Sequence, residues 1–104
     1  MQLWCRGNIT VDEGAKNALV NKGASLLPSG ITSIEGYFRP GEAITVSYEN
    51  NIIAKGLAVY SANDLKLIAG QKSQQIESIL GYTLGEAAIH RDDLVLLKSV
   101  KPVD

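Results

Sequence analysis

The sequence predicts one small domain of the α+β class, mainly β: a mixed sheet or barrel-like sandwich with short helices at its flanks. Three observations predict it. The chain has 104 residues, of which 45% are hydrophobic, enough for one core and not two. Ten glycines fall at near-regular intervals and cut the chain into short elements. Strand-like alternation dominates the middle, whereas helix caps and helical spacing fall to either side of it.

Each element has its own signal. Asn8 to Val11 reads as a strand running into Asp12. Asp12 is a good N-cap for a helix reaching Lys22, with Glu13 in its first turn, Ala15, Ala18 and Leu19 on its apolar face, and Gly23 just past its end. Leu26, Leu27 and Pro28 form an apolar turn ending at Gly30. Ile31 to Phe38 reads as a strand with a bulge marked by Gly36. Arg39 to Glu42 reads as a hairpin turn, followed by a strand from Ala43 to Tyr48 with Ile44 and Val46 on one face. Glu49 to Asn51 closes a second hairpin onto a strand from Ile52 to Tyr60.

Ser61 to Asp64 is a variant capping box opening a short helix, Leu65 to Ala69, stopped by Gly70. Ser73 is expected to cap another helix, with Ile76, Ile79 and Leu80 on one face and Gly81 at its end. Leu94 to Leu97 reads as a buried final strand, and residues 98–104 as a frayed tail.

Composition excludes several classes. Ten basic residues face eleven acidic ones, so no general basic excess points to nucleic acid. No apolar run approaches the ~20 residues of a spanning helix. The first residues carry no signal-peptide pattern. Cys5 is the single cysteine, which excludes an internal disulfide and argues against a cysteine-type zinc site. A reducing cytoplasm is the expected location.

Catalytic constellations are incomplete. His90-Arg91-Asp92 has the letters of a protein-kinase catalytic loop, but Leu94 to Leu97 stand where the metal-binding Asn belongs. His90 and Asp92 are instead expected to hydrogen-bond backbone groups where the last strand begins. Gly36 to Gly41 has the outer spacing of a phosphate loop without its Lys-Ser/Thr. Asp92 and Asp93 would point to opposite faces of a strand and converge on no metal. With one histidine, no triad can be assembled. No catalytic residue and no metal ligand is expected. Among the six aromatics, alternation splits Tyr37 from Phe38, so one of the pair should face outward.

Four stretches resemble one family: ITVDEGA from Ile9, SLLPSGI from Ser25, GLAVYSANDLKLIAGQKS from Gly56, and IESILGY from Ile76 with IHRDDLVL from Ile89. Together they resemble the PUA domain at the carboxy-terminal end of bacterial glutamate 5-kinases, over roughly residues 7–97. The resemblance implies a PUA-like pseudo-barrel of about six strands, preceded by linker or added residues at 1–6. It also implies a larger parent, a homo-oligomeric kinase that uses ATP and Mg²⁺ to phosphorylate glutamate in the first step of proline biosynthesis, under feedback inhibition by proline. That chemistry would lie in an amino-acid-kinase domain outside this chain, which itself would hold no cofactor. The domain would then serve regulation or assembly, with the kinase domain as its partner.

An autonomous RNA-binding module is the alternative. PUA domains place RNA against the first helix and the glycine turn after it. Carried over, those positions are Lys16, Lys22, Gly23, Ala24 and Ser25. Against it, Asp12 and Glu13 would repel a phosphate backbone, and Lys16 and Lys22 also read as solvated helix lysines.

Overall fold

The computed structural model describes residues 5–97. The tail expected at 98–104, and most of the linker expected at 1–6, lie outside the described residues. Five strands form one mixed sheet: β1 Gly7–Val11, β2 Ile31–Gly36, β3 Ala43–Tyr48, β4 Asn51–Leu57 and β5 Leu94–Leu96. Their order across the sheet is β2-β1-β3-β4-β5. β1 runs parallel to β3, and every other pairing is antiparallel. Three helices accompany the sheet: α1 Glu13–Lys22, α2 Ala62–Ile68 and α3 Ile76–Leu80.

The class is therefore α+β and mainly sheet, with five strands where about six were expected. The missing piece is a single bridge, in which Leu26 pairs antiparallel with Ile89. The Leu26 N–H donates to the Ile89 carbonyl at 2.9 Å, and the Ala88 N–H donates to the Leu26 carbonyl at 2.7 Å. Leu26 leads toward β2 and Ile89 toward β5, the two edge strands. The bridge thus ties the approaches to both edges and curls the sheet toward a barrel.

The core follows the alternation. Ile9, Ile44, Val46 and Ala54 of the sheet are fully buried, and Leu19, Leu65, Ile68 and Ile76 from the helices close over them. The opposite face of the central strands is polar yet satisfied. Thr45 and Ser47 are both buried, and their hydroxyls each donate to the Asn8 Oδ1 at 2.7 Å.

Local caps agree with the sequence. The Asp12 side chain accepts from the Ala15 N–H at 2.8 Å, and Gly23 takes the left-handed conformation at φ +62°. The Ser61 Oγ accepts from the Asp64 N–H at 3.2 Å, although α2 begins at Ala62, earlier than expected.

Several expectations are corrected. Gly36 ends β2 at φ +91° and does not form a bulge. The register shift lies between Thr10 and Val11 instead. Arg39 to Glu42 does turn, with the Glu42 N–H donating to the Arg39 carbonyl at 3.1 Å. It is not a hairpin, because β1 sits between β2 and β3. β4 ends at Leu57 rather than Tyr60. Ser73 does not cap a helix. It opens a 3-10 turn, and its hydroxyl donates to the Glu86 carbonyl at 3.1 Å. Ile79 is exposed, leaving Ile76 as the buried residue of α3. The last strand is an edge, with Val95 and Leu96 exposed rather than buried.

Candidate functional site: a groove between the first helix and the loop that follows it

α1 is unusual in presenting small residues, Gly14, Ala15 and Ala18, toward the returning loop. The loop can therefore approach the helix backbone closely. At Gly30 the approach is so tight that an added Cβ would lie 2.5 Å from the Ala15 Cβ. Glycine is required there for contact rather than for a special backbone angle. The result is a groove of about 320 Å³ walled by α1 on one side and by Ala24 to Leu27, Ser29 and Gly30 on the other.

Anchors hold the loop side. The Ser25 Oγ accepts from the Arg91 N–H at 2.8 Å, which fastens the loop to the segment before β5. The Gly70 N–H donates to the Pro28 carbonyl at 2.8 Å, which fastens it to the end of α2. Leu27 stays exposed as a ridge. Beyond the ridge a shallow pocket of about 330 Å³ is lined by Val59, Leu84 to Ala87 and His90.

The structure separates the residues assigned by resemblance. Ala24 and Ser25 line the groove, whereas Lys16, Lys22 and Gly23 do not. The half-buried Lys16 lies with its Nζ 5.4 Å from the centroid of the Tyr48 ring, at the end of β3. Lys22 is exposed in the last turn, and Gly23 serves as the helix cap. Asp12 joins the groove lining with its carboxylate. The Tyr48 hydroxyl is held above its ordinary ionisation range, first by burial and then by the nearby carboxylates Glu49, Glu13 and Asp12.

His90 and Asp92 both sit on the surface. The His90 Nδ1 accepts from the Asp92 N–H at 3.2 Å and so caps the 3-10 turn at Arg91–Asp93. The Asp92 carboxylate lies 3.6 Å from the same nitrogen and makes no backbone hydrogen bond among the described residues. Sequence reasoning missed Gly14, Leu27, Ser29 and Gly30 as groove residues. The available signal was the cluster of small residues on one face of α1, opposite a loop rich in Gly, Ser and Pro.

Comparison with known proteins places this geometry. The profile of the PUA domain matches residues 7–80. The glutamate 5-kinase of Trichlorobacter lovleyi is 51% identical over 92 residues, covering 88% of this chain and 24% of that protein. That of Syntrophotalea carbinolica is 50% identical over 94 residues, covering 89% and 25%. The chain thus spans about a quarter of the length of the curated relatives it matches, and the similarity lies in their carboxy-terminal region. Among solved structures, a PUA domain from Aeropyrum pernix K1 in complex with tartrate superposes with a TM-score of 0.60 at 26% identity, covering 84% of this chain and 42% of that one. An H/ACA RNP bound to a substrate RNA has a chain that superposes with a TM-score of 0.52 at 19% identity, covering 91% and 25%, a likeness of fold. The matched profile covers most of the chain, and the chain belongs to the PUA domain family.

Proposed function

We propose that this chain is an accessory, non-catalytic domain of a cytoplasmic glutamate 5-kinase, acting in regulation or assembly of that enzyme. One observation carries the reading. Identity near 50% runs along almost the whole chain, yet it accounts for only a quarter of the kinases that share it. The remaining three quarters of such an enzyme are where ATP, Mg²⁺ and glutamate would be handled. The amino-acid-kinase domain would be the partner of this one, in a homo-oligomeric parent.

The one histidine among the described residues sits on the surface, in a local cap beside Asp92. No helix among them is long and apolar enough to cross a membrane. The isolated chain, incubated with ATP, Mg²⁺ and L-glutamate, is expected to form no ADP above a heat-inactivated control. Glutamate-dependent ADP formation would overturn the reading.

An RNA-binding module is the second reading. The observation in its favour is the α1 groove, whose small-residue wall leaves helix backbone open to a ligand. A structure of the same fold belongs to an RNP bound to RNA. This reading requires affinity for structured RNA that falls with salt and depends on Lys16 and Lys22. The carboxylates of Asp12 and Glu13 beside the groove oppose it.

A further inference from the structure

A larger groove lies at the far end of β2, away from α1. It measures about 550 Å³ and is lined chiefly by Arg6, Tyr37, Arg39, Glu42, Ser61 and Asn63. That volume falls in the ~300–1,000 Å³ range typical of small-molecule sites. Three separate segments build it: the approach to β1, the crossover between β2 and β3, and the start of α2.

The crossover holds one aromatic out. Phe38 is 5% exposed and Tyr37 is 82% exposed. Phe38 packs onto Gly7, where an added Cβ would lie 2.7 Å from the Phe38 Cδ2. With its neighbour anchored inward, Tyr37 must face solvent. One cation stands over its ring. The Lys66 Nζ lies 5.8 Å from the ring centroid. The Arg6 Nε lies 3.8 Å from the Glu42 Oε2, while the Glu42 Oε1 accepts from the Arg39 backbone N–H at 2.8 Å. Glu42 is thereby occupied, and the Arg39 guanidinium makes no ion pair among the described residues. Arg6 and Arg39 outnumber Glu42, the one carboxylate of the groove lining, in a chain whose formal net charge is −1.

We propose that this groove binds a nucleotide unit, with the base stacked on Tyr37 and the phosphate held by Arg39 and Arg6. An exposed ring offers a stacking platform for any base. A guanidinium fork matches phosphate oxygens in a bidentate way. An acidic peptide would use the arginines but would leave the ring without a role. A free mononucleotide and one residue of a single strand present the same chemistry. The inference depends on neither reading above, because Lys16 and Lys22 lie on α1 at the other end of β2.

The test is fluorescence anisotropy of the 104-residue chain with a short fluorescein-labelled oligoadenylate, with AMP and inorganic phosphate as competitors. Binding is expected, with a log–log salt slope of about −1.4 for two arginines on a single strand. Tyr37→Ala and Arg39→Gln are each expected to weaken it about tenfold, and Tyr37→Phe to preserve it. A Lys16→Gln/Lys22→Gln variant should bind as the parent does. Displacement by AMP assigns the site to free nucleotides, and displacement only by unlabelled oligoadenylate assigns it to single strands. Tyr37 and Arg39 are exposed, so unchanged thermal melts should accompany their loss of binding. No binding of either ligand would overturn the proposal. So would displacement by phosphate as strong as by AMP, or loss confined to the lysine variant.

Discussion

Tyr60→Ala is expected to destabilise the domain by about 3–5 kcal/mol, the cost of deleting a buried aromatic side chain. At this size that is a fall of roughly 15–30 °C in melting temperature. Tyr60 is fully buried although it lies in a loop between β4 and α2. Its hydroxyl organises the segment after α3. It donates to the Gly85 carbonyl at 2.6 Å and accepts from the Leu84 N–H at 2.7 Å. The Tyr82 ring packs beside it at a centroid distance of 6.4 Å, and the Tyr82 hydroxyl donates to Asp64 of α2. Removing Tyr60 therefore opens a cavity and also takes a hydrogen-bond partner from two backbone groups. Tyr60→Phe separates the two contributions, with an expected cost of about 1–2 kcal/mol for the hydroxyl alone. Urea denaturation followed by circular dichroism measures both. A phenylalanine variant as unstable as the alanine variant would show that packing contributes little.

Gly56→Ala is the second large effect, at about 2–3 kcal/mol of overpacking. Gly56 pairs with Leu94 across β4 and β5. An added Cβ there would lie 2.6 Å from the Asp93 carbonyl oxygen, 2.8 Å from the Ile89 Cγ2 and 3.3 Å from the Leu94 Cα. Two of these atoms are backbone and cannot rotate away. β5 must shift, and with it the Leu26–Ile89 bridge that curls the sheet. Beyond lower stability, amide hydrogen exchange is expected to quicken at Leu94, Leu96 and Leu26 before it does along β1. Uniform acceleration across the sheet would contradict this local account.

What was legible in the sequence was local. Asp12, Ser61, Gly23 and Gly81 announce helix ends, because a cap is a contact between residues three or four apart. Alternation in β3 likewise exposed Ile44 and Val46 as core. What was not legible depends on pairing between distant segments. β1 inserts between β2 and β3, and nothing local to Arg39–Glu42 distinguishes a crossover from a hairpin. Gly36 reads as a bulge until it meets Arg6, whose carbonyl oxygen would lie 2.6 Å from an added Cβ. The apolar Leu94 to Leu97 reads as core, yet β5 is an edge with one partner.

The same holds for the candidate sites. Resemblance pointed to α1 and the turn after it, and the groove lies beside them, but its walls are small residues rather than the two lysines. The Tyr37 groove draws Arg6 and Arg39 from two segments, and a third brings Lys66 to the Tyr37 ring. Only the outward turn of one of Tyr37 and Phe38 was visible beforehand, and it holds although β2 ends at Gly36, because Phe38 packs inward onto Gly7.

The most direct test of the accessory role uses the glutamate 5-kinase of Trichlorobacter lovleyi, with its matching quarter deleted or replaced by this chain. Deletion is expected to leave ATP-dependent phosphorylation of glutamate in place while altering proline inhibition or oligomeric state. Replacement by this chain is expected to restore what deletion altered. A folded deletion enzyme that has lost turnover, or one unchanged in both inhibition and assembly, would contradict the account.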